Sequence, residues 1–260
     1  MPEITVRTHN VDVQQNPAYG ERLRIGLLAL STDLAFERDF ALLAGSDDIA
    51  TFTTRIKLAT PNNEANFLAL EKELPSASAL IVPSSRLDVI AFGCTSASML
   101  IGPDRVAAAI RSGRPGIQVT NPATATMAAL NAVGARRVAV LTPYTESVTV
   151  KVAKFLESNH FQLTDVLCLN LDSDDQIGRI SEQQLRQFVL QLDYQGADAI
   201  FVSCTAARSI NVIEALEQET GRPVITSNQA TFWHALQLGS VVAPRPGFGS
   251  LLAGRSKAAA

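Results

Sequence analysis

Two cysteines stand in matching surroundings. Cys94 follows the apolar run of LDVIAFGCTSASMLIG, and Cys204 follows that of ADAIFVSCTAARSI. In each, a strand-like run ends in a small residue, a cysteine and a threonine. A thiolate can take a proton from a carbon next to a carboxylate, or add to a double bond. Two thiols on opposite faces of one carbon give racemisation: one removes the proton and the other returns it. Addition, rotation about the carbon–carbon bond and collapse of the adduct give cis–trans isomerisation. A single thiol can also protonate the carbanion left by decarboxylation. All three routes build charge on a carboxylate or enediolate, which backbone N–H groups and hydroxyls must hold.

Residues near the ends of predicted strands supply the candidates for that task. They are Ser31 and Thr32, Thr95 and Ser96, Asn121, Thr142 and Tyr144, and Thr205 with Ala206. Asp33 either caps the helix after the first strand or contacts a substrate cation. Asn121 and Asn228 either bind substrate or hold strand-to-helix turns, and the structural role is slightly favoured. A thiol beside helix N–H groups is expected to have a lowered pKa. Cys168, in the alternating run TDVLCLNL, reads as a packed strand residue.

The elements that must position these groups alternate between strand and helix. Strands are predicted at 24–30, 49–59, 87–93, 114–121, 136–144, 161–171, 197–203 and 222–228. The helices between them are predicted at 34–43, 65–74, 103–113, 123–134, 146–159, 180–196, 209–221 and 230–239. Ser181 is expected to cap the 180–196 helix and Gly196 to close it. Cys94 is followed by a small-residue segment, and GFGSLLAGR (247–255) reads as turns beside the cleft. The strand-like runs lack a clean alternation of apolar and polar residues, as strands covered on both faces do. The fold class is therefore α/β with parallel sheets.

The duplication extends beyond the thiols. RPGIQVTNPATATMAALNAVG (114–134) parallels RPVITSNQATFWHALQLG (222–239), and LRIGLLALST (23–32) parallels RRVAVLTPYT (136–145). Two similar lobes related by a pseudo-two-fold, with a cleft between them, follow from three ordered pairs. The expected organisation is an N-terminal arm over 1–21, a first lobe over 22–122 and a second over 123–227. Residues 228–260 are expected to pack back on the first lobe and end in a loose tail.

Composition narrows the function classes. The chain has 260 residues, 47% of them hydrophobic and 18% charged, with a net charge of −3. No long basic stretch points to nucleic acid. No apolar run reaches membrane-spanning length. The N-terminus lacks a signal-peptide pattern, so a cytoplasmic location is the default. Three cysteines make no disulfide framework, and three scattered histidines give a zinc site little to draw on. No glycine-rich nucleotide motif follows a strand.

With these residues in view, the sequence resembles the aspartate/glutamate racemase superfamily, and within it the maleate cis–trans isomerase and arylmalonate decarboxylase branch. RIGLLALSTD, VIAFGCTSASMLIG, ARRVAVLTPY, AIFVSCTAARS and PGFGSLL carry the likeness, from about residue 22 to 253. The resemblance implies two α/β lobes, a cleft site, no cofactor and a small carboxylic acid as substrate. It implies Cys94 as nucleophile, Cys204 as acid/base partner and Tyr144 as a carboxylate ligand. The decarboxylases of this branch keep only the second cysteine, so Cys94 speaks against plain decarboxylation.

Two positions depart from the isomerase pattern. Asp33 and Asp174 stand nearest to asparagines that contact substrate in maleate isomerases. Carboxylates there are poor neighbours for a diacid and suit a substrate with a cationic group. Amino-acid racemases of the superfamily use an aspartate after the first strand. The chain also resembles the ectoine-utilisation proteins of this branch. The resulting expectation is a two-cysteine isomerase of a small carboxylic acid, either maleate-like cis–trans or racemising an amino-bearing acid. Arylmalonate-type decarboxylation and non-catalytic metabolite binding are the alternatives. A homo-oligomer is expected from base rates and the family likeness.

Overall fold

The computed structural model describes residues 5–11 and 19–254. Most of the expected arm over 1–21 and the tail after 254 lie outside the described residues.

The first half runs β1 (Leu23–Leu30), α1 (Phe36–Ala44), β2 (Ile49–Ile56), α2 (Glu64–Leu68), a 3-10 turn (Ala69–Glu73), α3 (Leu74–Leu80), β3 (Val89–Gly93), α4 (Thr95–Ile101), α5 (Pro103–Gly113), β4 (Gln118–Thr120) and α6 (Pro122–Ala132). The second runs β5 (Arg137–Thr142), α7 (Glu146–Ser158), β6 (Gln162–Cys168), α8 (Asp174–Arg179), α9 (Glu182–Leu190), β7 (Ala199–Val202), a 3-10 turn (Ile210–Val212), α10 (Ile213–Thr220), β8 (Val224–Thr226) and α11 (Ser227–Leu238). A last helix, α12 (Gly249–Leu252), follows. The strand orders are β2-β1-β3-β4 and β6-β5-β7-β8, and every pairing is parallel. The two halves therefore repeat one topology.

Burial explains the strands' lack of alternation. In β1, Ile25, Leu27 and Ala29 join one apolar core while Leu28 and Leu30 join another. Each core also takes residues from the second sheet: Val138, Val140 and Phe201 enter one, Ala139, Leu141 and Ile200 the other. Strands with both faces covered need apolar residues at every position. The last helix of each half contributes to the joint, since α11 packs on α6 and on β3 of the first sheet.

Several expected elements differ in detail. The small-residue segment after Cys94 is helix α4, because alanine, methionine and leucine outweigh its serines. The 65–74 helix continues as a 3-10 turn and then α3, whose first turn accommodates Pro75. The 180–196 helix stops at Leu190, so Gly196 does not close it, although Ser181 caps it through a reciprocal bond with Gln184. Asn228 is not at a strand end but inside α11, which Thr226 caps. Leu34, counted on an apolar helix face, is 71% exposed and precedes α1. Residues 249–252 form α12 rather than turns, held to α10 by bonds from Ser250 to Glu217.

Candidate active site

In each sheet the chain leaves the first central strand toward one edge and returns through the other central strand. The crevice at the carboxyl ends of those two strands is where open α/β sheets bind ligands. In the first sheet Ala29 lies opposite Gly93, so Ser31–Asp33 and Cys94 leave the sheet side by side. In the second, Leu141 lies opposite Val202, which brings Thr142–Tyr144 beside Cys204.

Cys94 is the N-cap of α4, and its sulfur accepts from the Ala97 N–H at 3.4 Å. A glycine precedes it because Phe36 packs there: a Cβ on Gly93 would meet the ring at 2.6 Å. Cys204 has φ +106°, a left-handed conformation that residues with a side chain rarely adopt. Bends, not a helix, follow it. The two turns are tied across the halves. Thr205 Oγ1 donates to the Gly93 carbonyl at 3.1 Å. Ser227 Oγ accepts from Thr95 Oγ1 at 2.9 Å and from the Cys204 N–H at 3.0 Å.

Hydroxyls and carboxylates surround the sulfurs. Ser96 is buried in the first turn of α4, two residues after Cys94. Tyr144, buried, shares a hydrogen bond of 3.1 Å with Ser203, the residue before Cys204. Asp33 accepts through Oδ1 from the N–H groups of Ala35 and Phe36 at 2.7 and 2.8 Å, so it does cap the approach to α1. Its Oδ2 is buried without a partner. Asp174, in the first turn of α8, accepts from Thr32 Oγ1 and, at 2.9 Å, from Asn62 Nδ2. Asn62 sits in the loop before α2 and carries no motif; only the fold brings it here.

Burial governs the protonation states. Cys94 is 3% exposed and Cys204 5%, and desolvation pushes both thiols well above their ordinary range. Asp174 and Asp33 push both further up, while the N–H groups of Ala97 and Ala206 oppose the rise. The lowered thiol pKa expected from helix N–H groups is therefore overturned. Those dipoles are present, but burial and two carboxylates outweigh them. Desolvation also raises Asp33 to about 6, partly offset by its two N–H bonds, and raises Tyr144 well above 10.

The remaining candidates are less central. Ser31 is exposed, and its hydroxyl accepts from the Leu58 N–H at 3.2 Å, holding the loop after β2. Asn121 caps α6 through its side-chain oxygen, bonded to the Thr124 N–H at 3.0 Å. Thr142 turns away to Thr149 at 2.6 Å. Ala206 is buried in the bends after Cys204. Cys168 ends β6 half-buried and bonds the Tyr144 carbonyl at 3.1 Å. Asn62 and Ser227 were missed by sequence reasoning. Ser227 had one available signal, its place in the repeated Arg-Pro–strand–Asn segment.

Known proteins resemble this chain in sequence and in fold. The chain is 28% identical to a maleate isomerase of Nocardia farcinica over 240 residues, covering 88% of this chain and 95% of the relative. It is 31% identical to an arylmalonate decarboxylase of Bordetella bronchiseptica over 140 residues, covering 52% and 58%. A solved structure of a mutant Nocardia farcinica maleate cis–trans isomerase, with a covalently bound succinylcysteine intermediate, superposes with a TM-score of 0.82. It is 25% identical and covers 89% of this chain and 98% of the other. Among the described residues no helix is long and apolar enough to cross a membrane. The arylmalonate decarboxylase family model matches residues 73–252, most of the chain. The chain thus belongs to that family, within the maleate isomerase and arylmalonate decarboxylase branch of the aspartate/glutamate racemase superfamily, where catalysis of the isomerase or decarboxylase kind runs through cysteine.

Proposed function

We propose that this protein is a two-thiol racemase of a small carboxylic acid bearing an amino or other cationic group. One observation carries the reading: the charged residues acting most strongly on both cysteines are two carboxylates, Asp174 and Asp33. Asp33 keeps one buried oxygen without a partner. A substrate ammonium beside that oxygen would satisfy it and remove much of the charge that disfavours a thiolate. Tyr144, Ser96 and the N–H groups near the cysteines would then hold the substrate carboxylate.

The reaction balances on protein groups. One sulfur, as thiolate, takes the α-proton, and the electron pair moves into the carboxylate as an enediolate. The other thiol gives its proton to the opposite face of the carbon. The enzyme ends with thiol and thiolate exchanged, ready for the reverse passage, and Cys94 and Cys204 carry both protons.

A second reading is maleate-type cis–trans isomerisation, with Cys94 adding to the double bond. It is favoured by the relatives named maleate isomerase and by the covalent succinylcysteine in one of them. It would need Asp33 protonated, which a pKa of about 6 permits in mild acid. The match to the arylmalonate decarboxylase family model favours decarboxylation as a third reading, in which Cys204 would give the proton.

Incubation in heavy water with amino-bearing acids, maleate and an arylmalonate separates the three. The proposal expects solvent deuterium at the α-carbon and loss of optical activity without release of carbon dioxide. Maleate-to-fumarate turnover without solvent exchange, or carbon dioxide from the malonate alone, would replace it.

A further inference from the structure

We infer that Ser227 is a positioning residue for the cysteine pair: its hydroxyl closes a ring of hydrogen bonds that holds Cys94 and Cys204 in one fixed placement. The inference rests on reading the two cysteines as partners acting on one carbon.

The ring is built from the threonine of each Cys-Thr motif and one serine outside both. Thr95 Oγ1 donates to Ser227 Oγ at 2.9 Å, and the Cys204 N–H donates to the same oxygen at 3.0 Å. Thr205 Oγ1 donates to the Gly93 carbonyl at 3.1 Å. Followed around, the ring runs Gly93, Cys94, Thr95, Ser227, Cys204, Thr205 and back to Gly93. The Gly93 carbonyl shares a planar peptide with the Cys94 nitrogen, and the N–H bonded to Ser227 is Cys204's own. No link passes through a sulfur. The ring therefore sets where the two cysteine backbones lie, and with them the directions of the side chains.

Ser227 is placed for this task and no other. Thr226 caps α11 in a reciprocal pairing with Gln229, so the Ser227 hydroxyl caps nothing in its own helix. It is fully buried, and both bonds to its oxygen come from segments outside the helix. In the first half the helix after the last strand begins Asn121, Pro122, and proline has no hydroxyl to offer at the place of Ser227. The need is also greater in the second half. Cys94 heads the regular helix α4, whereas Cys204 has φ +106° and is followed by bends. A left-handed residue with a side chain persists only where its surroundings over-determine it. The bond to Ser227 holds the peptide before Cys204. The bond from Asn228 Nδ2 to the Thr205 carbonyl, at 2.8 Å, holds the peptide after Thr205.

The placement matters because the two thiols come from different halves and must meet one small molecule. A misplacement of about 1 Å can cost a hundredfold in rate.

The test uses three full-length chains, each keeping one of Cys94, Cys168 and Cys204 with the other two replaced by serine. Cys94 and Cys204 are buried, so iodoacetamide reaches them through local opening, and its rate reads how firmly each turn is held without any turnover. Ser227→Ala should speed alkylation of both Cys94 and Cys204 by about fivefold or more, the weight of losing a hydrogen bond on each side. Cys168, which has no bond to the ring, should react as before. Ser227→Thr keeps the oxygen and should hold both rates within about twofold of the parent; Ser227→Val, of the same size without it, should not. With all cysteines restored, Ser227→Ala should lower kcat about tenfold and leave KM within about twofold, and Ser227→Thr should return most of the rate. A faster Cys204 alone, an equal rise at all three cysteines, no rise at all, or threonine and valine behaving alike would each overturn the inference. Should Ser227→Ala fail to fold, Thr95→Val opens the ring from the other side: it should speed Cys204 and not Cys168, and an unaltered Cys204 overturns the inference as well. The expected alkylation pattern in a protein that racemises nothing would uphold the ring and discard the reaction reading.

Discussion

The turns that carry Cys94 and Cys204 have nearly the same sequence and opposite backbone solutions. Cys94 is extended, with φ −149°, and caps a helix. Cys204 is left-handed, with φ +106°, and is followed by bends. The first thiol receives its N–H donor from a regular element that forms through its own local bonds. Beside the second, Asn228 of α11 holds the Thr205 carbonyl and is itself bonded to Asp39 of α1. The two cysteine turns are thus supported by different means. A duplicated fold repeats the position of a residue more faithfully than it repeats its surroundings.

The largest expected effect would break the equivalence of the two thiols. Cys94→Ser and Cys204→Ser should each reduce racemisation by about 10²- to 10⁴-fold, the usual weight of a positioned acid or base. If Cys94→Ser leaves carbon dioxide release from an arylmalonate intact, Cys204 works alone and the two-thiol reading falls. Chiral chromatography and carbon dioxide assays on both variants decide this.

Asp33 gives the next largest effect. Its folded pKa of about 6 lies above the ordinary value of 3.8, so the protein prefers it protonated. The stability this contributes is present in full below pH 4 and is lost as pH rises toward and through 6. Asp33→Asn keeps an oxygen for the Ala35 and Phe36 N–H groups and removes the charge. It should stabilise the ligand-free fold by about 2–3 kcal/mol at pH 8 and by little at pH 4. Denaturant titrations at the two pH values measure it. On the racemase reading the same variant should raise KM, and wild-type activity should fall below pH 6. Cis–trans turnover should instead grow as Asp33 takes up its proton.

The smallest effect sharpens the backbone contrast. Glycine tolerates φ +106° and alanine does not. Cys204→Gly should therefore be more stable than Cys204→Ala by about 1 kcal/mol. At position 94 the order should reverse, because extended backbone gives glycine no advantage and leaves it the greater entropy to lose. Thermal melts of the four variants provide the comparison.

The parallel α/β class was legible because strands buried on both faces cannot alternate, and runs such as LRIGLLAL do not. The duplicated motif was legible because like positions at strand ends kept like residues. Helix α4 was not, since SASML is as compatible with a loop as with a helix until Cys94 caps it. The Asn121–Asn228 match also misled. The shared Asn-x-Ala-Thr is aligned in sequence, yet one asparagine caps its helix and the other lies inside its helix. Cap choice depends on where each strand ends, and β8 hands over to its helix through Thr226.

By itself the sequence determined the fold class, the repeat and the pairing of Cys94 with Cys204, because each depends on local pattern and on strand-end position. Only the tertiary structure decided the electrostatics. Whether a thiol or carboxylate is charged depends on how far burial removes water and on which groups from distant segments replace it. Asn62 bonds Asp174 from the loop before α2, and Ser227 ties the Cys94 and Cys204 turns from α11, contacts that no local spacing announces.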